Sequence, residues 1–206
     1  TAYEIPKRDW SSDVCSSDLT DDRVVAPTFA PKQYAVAVTK PTGGTITGSV
    51  GDINCGTGGN ACSADLDFDS SVTLTATADT PAYRMYAWGG ACESVGTIVA
   101  GVGSCDLTVT FTQTVSAVFM PRVLLTIGEP ADGTVTATTT GADSSTINCG
   151  TGGDVCSQRF DKFTTADLST NAQVTLTATP DSDFRFYAWT GDCAGVSGAN
   201  CTLSLT

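Results

Sequence analysis

The stretch VTLTATADT at Val72–Thr80 returns as VTLTATPDS at Val174–Ser182. In the first copy Val72, Leu74 and Ala76 fall on one side, and Thr73, Thr75 and Thr77 on the other. Strict alternation at a period of two marks a strand with one buried face and one wet face. This one stretch therefore makes two statements: the local structure is β, and the chain contains it twice.

Working outward, the duplication extends over most of the chain. INCGTGGNAC at Ile53–Cys62 recurs as INCGTGGDVC at Ile147–Cys156, and YAWGGAC at Tyr86–Cys92 recurs as YAWTGDC at Tyr187–Cys193. GSCDLTV at Gly103–Val109 returns more weakly as ANCTLSL at Ala199–Leu205. The order is the same in both copies, so the repeat units span residues 34–120 and 121–206. Each unit reads as all-β, with five or six short strands. In DLTVTFT, the pattern points Leu107, Val109 and Phe111 inward. KPTGGT and EPADGT carry a Pro followed by Gly, the chemistry of a tight turn between the first two strands. Residues 20–33, which contain APTFAPKQ, lack any period and read as a linker. The second unit ends at CTLSLT, partway along the strand equivalent to CDLTVTFT, and has no counterpart of TVSAVF (Thr114–Phe119). It is therefore expected to be C-terminally incomplete, less stable than the first, and to expose a strand edge.

Composition narrows the function. The chain has 206 residues, 22 acidic and 10 basic, for a formal charge of −12. Such a surface repels phosphate backbones, which excludes nucleic acid as a partner. Its longest apolar runs, such as YAVAV at Tyr34–Val38, are strand-sized, so direct membrane insertion is not expected. There is no histidine, hence neither the commonest general base nor the commonest metal ligand. Nothing pairs two carboxylates in a recognisable catalytic arrangement. The reading is a protein that is not an enzyme and takes no cofactor.

There are nine cysteines. Eight of them fall at matching places: Cys55, Cys62, Cys92 and Cys105 in the first unit, and Cys149, Cys156, Cys193 and Cys201 in the second. The ninth, Cys15, has no counterpart. Four cysteines per unit allow three connectivities. Loop length favours local pairs, Cys55–Cys62, Cys92–Cys105, Cys149–Cys156 and Cys193–Cys201. The first spacing is the same in both units, as a closed tight loop demands. The second pair brackets a Gly-bearing loop whose length changes, which a staple across its base tolerates. Zinc is disfavoured because Cys-x-x-Cys is absent. Disulfides place the protein in an oxidising compartment: the periplasm, the cell surface or the outside of the cell, the last two being the expected location.

With INCG, VTLTAT and YAWxGxC in this order, each unit resembles the divergent internalin-B-type B-repeat of bacteria. The resemblance covers both units, nearly everything after the linker. It implies two small β-rich modules in tandem on a secreted or surface-exposed protein, serving as a stalk or spacer, without catalysis. The alternative it leaves is an adhesive module for a host protein or a glycan, alongside other domains of the same parent chain. Two departures stand out. Ala87 and Ala188 stand where the family has glycine before Trp, and the second unit carries the longer QRFDKFTTADLSTNAQ (residues 158–173) in place of ADLDFDSS.

Three groups are candidate sites. Trp88 and Trp189, beside Tyr86 and Tyr187, are read as structural core packed near a disulfide; a sugar-stacking face is the alternative. Arg84 and Arg185 are read as strand arginines paired with a carboxylate, the alternative being contact with an anionic ligand. Asp65, Asp67 and Asp69 alternate with Leu66 and Phe68. On a strand they would line one face. A solvated face that discourages edge pairing is the preferred reading, and a calcium site the alternative.

The N-terminal residues 1–19, TAYEIPKRDWSSDVCSSDL, belong to neither repeat nor linker. They resemble a translated sequencing adapter: Asp9–Asp18 follow in frame the codons GAC TGG AGT TCA GAC GTG TGC TCT TCC GAT. They are read as a non-native, disordered segment to be set aside from the fold. Without them the count is eight cysteines, four per unit, and two tryptophans, one per unit.

Overall fold

The computed structural model describes residues 26–141 and 145–206. The adapter-like segment and Cys15 lie outside the described residues. Residues Thr1–Pro31 form one unit, of which 26–31 are exposed and without regular structure. Lys32–Thr206 form the other, and this unit is all-β.

The first repeat supplies β1 (Gln33–Val38), β2 (Gly44–Gly48), β3 (Asn54–Gly56), β4 (Gly59–Ala61), β5 (Ser63–Asp67), β6 (Ser71–Ala78), β7 (Tyr83–Gly90), β8 (Thr97–Val99) and β9 (Val102–Thr108). A long strand, β10 (Gln113–Thr126), follows. The second repeat then gives β11 (Gly133–Thr139), β12 (Asn148–Gly150), β13 (Gly153–Val155), β14 (Ser157–Asp161), β15 (Gln173–Pro180) and β16 (Asn200–Ser204). The only helical turn among the described residues is a 3-10 turn at Gly191–Cys193. In the first repeat, strands outnumber the expected five or six because INCGTGGNAC forms a tight hairpin of three-residue strands, β3 and β4, and β8 adds a third short strand.

Two sheets face each other in the first half. One runs β4-β3-β2-β6-β9-β8, and in the other β5, β1, β10 and β7 are neighbours. Val36, Val38, Met85, Val115 and Phe119 from the second pack on Ile46, Val72, Leu74 and Ala76 from the first. Alternating inward residues of two facing sheets make such a core. The threonines of VTLTAT take the outward side, as the alternation predicts. Phe111 does not follow it. β9 ends at Thr108, so Phe111 lies in the turn to β10 and is 61% exposed.

The second half repeats the plan with the sheet β13-β12-β11-β15-β16 and a core of Val135, Ala137, Ile147, Phe160, Val174 and Leu176. Two glycines show why INCG recurs. Gly56 has φ +146° and Gly150 φ +119°, and a Cβ on either would lie 2.2 Å from a backbone oxygen, that of Gly44 or of Gly133. Only glycine fits at both.

β10 belongs to both halves. Residues 115–121 pair antiparallel with β7, and Val36–Val38 of β1 run parallel to Gln113–Val115. Arg122–Thr126 instead pair antiparallel with β14. The expected seam between residues 120 and 121 thus falls inside one continuous strand.

Candidate functional site

The cysteines join in four local pairs. Cys55–Cys62 and Cys149–Cys156 have Cα separations of 4.7 and 4.6 Å, and Cys92–Cys105 and Cys193–Cys201 of 5.8 and 6.0 Å. The shorter loops, closed by Cys55–Cys62, Cys149–Cys156 and Cys193–Cys201, tie a hairpin or a turn; Cys92–Cys105 ties the end of β7 to β9. By loop-closure entropy each contributes about 2.5–3 kcal/mol.

Trp88 is buried, with its Nε1–H donating to the Thr97 carbonyl at 3.3 Å. Gly96 leaves room for the indole: a Cβ there would sit 2.3 Å from Trp88 Cδ1. Trp88 therefore presents no stacking face. Trp189 makes the matching bond to the Gly198 carbonyl at 3.1 Å but is only half-buried. Its ring lies 5.3 Å from that of Phe186, centroid to centroid. The difference has a backbone cause. Tyr83–Gly90 is strand β7, whereas the matching residues 184–191 form no strand, and among the described residues no strand pairs with 184–190.

This leaves an open cleft of about 490 Å³ in the second half, between residues 125–128 on one side and 185–193 on the other, floored by Val135, Leu176, Ala178 and Leu203. Tyr187 is 89% exposed at this cleft and Phe184 beside it 53% exposed. Arg185 lines it too.

Arg84, the match of Arg185, does something else. Its Nε donates to Asp161 Oδ1 at 2.8 Å and its Nη2 to Asp161 Oδ2. Arg122 Nε stands 3.6 Å from the same Oδ1, and its Nη2 donates to Ser145 Oγ at 3.0 Å. Asp161 is fully buried, so two guanidinium groups meet one desolvated carboxylate across the two repeats. Arg84 also lies 5.2 Å from the centre of the Tyr86 ring. The sequence offered Arg84 as a paired strand arginine but gave no sign of its partner, 77 residues away. Asp161 was missed altogether.

Asp65 and Asp67 sit on β5, exposed, and Asp67 Oδ1 accepts a bond from Gln33 Nε2 at 3.0 Å. Asp69 lies beyond the strand at φ +67°, a left-handed turn position, so the three carboxylates do not form one row. Among the described residues no three His, Cys, Asp or Glu side chains gather as a metal site.

The longer segment of the second repeat closes on Asp167. Its carboxylate accepts bonds from Thr165 Oγ1 at 2.5 Å and Ser169 Oγ at 2.8 Å. These hydroxyl bonds, that of Thr165 foremost, hold its pKa below the ordinary carboxylate value.

Comparison with curated proteins and with solved structures returns no match. A family model does match. The disulfide pairs and that family together point to an extracellular bacterial repeat region in an oxidising setting. Residues 144–206, which hold the second INCG, VTLTAT and YAW motifs, match the family model of the divergent InlB B-repeat domain, consistent with an InlB-type B-repeat.

Proposed function

We propose that the chain is a non-catalytic stalk or spacer of a bacterial surface or secreted protein, built of two tandem B-repeats. The observation that carries this reading is β10, one strand that completes the first repeat and opens the second. The buried Asp161 and its two arginines reinforce the same junction. A spacer gains from such a joint, because modules sharing a strand hold their relative placement. The absence of histidine from the sequence favours a non-catalytic role. No helix among the described residues is long and apolar enough to cross a membrane.

Tyr187, exposed beside Phe186 and Trp189, favours a second reading, adhesion to a glycan or a host protein. The test is a screen of the folded chain against broad glycan and extracellular-protein arrays. The spacer reading expects no saturable binding. Saturable binding that disappears in a folded Tyr187→Ala variant would replace it with the adhesive one.

A further inference from the structure

The cleft of the second half has a filled counterpart in the first. Phe184–Cys193 aligns without gaps on Tyr83–Cys92. In the first half this segment is β7, and its partner is β10: Gly90 stands opposite Val115, Trp88 opposite Ala117, and Met85 opposite Phe119. Met85 is fully buried there; its match Phe186 is half-buried at the cleft.

The opposite wall matches as well. Val38 N–H donates to the Cys62 carbonyl at 2.7 Å, and Ile127 N–H to the Cys156 carbonyl at 2.8 Å. Ile127 thus takes the place of Val38, and Leu125 that of Val36. Val36 and Val38 are buried beside Gln113 and Val115 of β10, their partners in the sheet; Leu125 and Ile127 are half-buried and line the cleft.

The floor carries the most specific mark. The Phe119 ring packs on Gly44, where a Cβ would lie 2.3 Å from the ring. Gly133 takes the same place in the second half and lines the cleft. The nearest atoms to a Cβ on Gly133 belong to Thr179 and Pro180, with no aromatic ring among them. Elsewhere β15 and β16 keep their pairing over five residue pairs, and the other strand without a counterpart is the three-residue β8.

We propose that this cleft accepts a β-strand in the place β10 fills in the first half, and that its occupant is the leading strand of a further repeat of the same kind. β10 argues for that occupant directly. Its first part, with Gln113, Val115, Ala117 and Phe119 turned to the core, completes one sandwich, and its second part opens the next. The incoming strand runs parallel to Leu125–Ile127 and antiparallel to 184–190. It carries apolar residues at alternate positions and ends in an aromatic residue over Gly133. Main-chain bonds supply the attachment and the alternate side chains the selectivity, as in strand addition generally. The inference holds whether or not an array screen returns a ligand.

The test appends a copy of Phe111–Pro121, FTQTVSAVFMP, directly after Thr206, the position that aligns with Thr110. The expected result is hydrogen-exchange protection of the amides of residues 184–190, slowed about tenfold or more relative to the unextended chain. The same extension bearing Val115→Asp and Phe119→Asp in the appended copy is expected to protect nothing. Equal protection by both extensions, or by neither, overturns the proposal. Concentration-dependent dimerisation of the unextended chain that shields 184–190 also overturns it, because the occupant is then a second copy.

Discussion

Asp67 and Asp161 close equivalent strands and face equivalent neighbours, Gln33 and Arg122. One is exposed and one fully buried. A buried carboxylate persists only when its charge is met, and Asp161 has Arg84 and Arg122. Asp161→Ala leaves two guanidinium groups facing an empty site and is expected to cost about 3–5 kcal/mol in urea unfolding. Asp67→Ala is expected to stay within about 0.5 kcal/mol, the usual range for a surface change. The tryptophans divide in the same way. Trp88→Ala removes a fully packed indole and is expected to cost about 3–5 kcal/mol, with Trp189→Ala costing less than half of that. Equal losses at the two sites would mean that Trp189 is packed as tightly as Trp88.

At the scale of elements, alternation carried most of the reading. VTLTAT, the Gly-bearing turns and the spacing of the cysteines are local patterns, and local patterns are visible in a sequence. What stayed hidden depends on neighbours far along the chain. YAW forms a strand at Tyr86–Trp88 because β10 lies beside it, and nearly the same residues form none at Tyr187–Trp189. Phe111 carried the right period but lay past the strand's end. Arg84 carried the right chemistry, yet its partner sits in the other repeat. The half-open second sandwich sets an order of exchange. Ala76 is buried in β6, whereas its match Ala178 in β15 is half-buried. Amides of β15 are expected to exchange faster than those of β6, as native-state hydrogen exchange would show. The Asp167 loop adds a pH signature. A carboxylate whose folded pKa is lowered stabilises above its unfolded value, near 3.8, and that stability is lost as pH falls through the lower folded value. Thr165–Ser169 is therefore expected to stay ordered at pH 4 and to loosen only below it, a change visible in backbone NMR shifts.

For the unit Lys32–Thr206 as a whole, the two halves are joined but not equal. When the second half opens, Arg122–Thr126 lose β14, while the earlier part of β10 remains paired with β7. The first half therefore survives the loss of the second. In variants that keep a single tryptophan, Trp189 fluorescence is expected to change at lower urea than Trp88 fluorescence; coincident transitions would instead make the halves one cooperative block.

The joint itself has one more consequence. Pairing with β7 ends at Pro121 opposite Tyr83, and pairing with β14 begins at Arg122 opposite Asp161. Not one unpaired residue lies between them. The last residue before the handover is a proline, whose ring fixes φ near −65°. A chain bends where backbone torsions are free, and here that length is zero. The two repeats can swing against each other only by unzipping part of a ladder, so the joint behaves as a weld rather than a hinge.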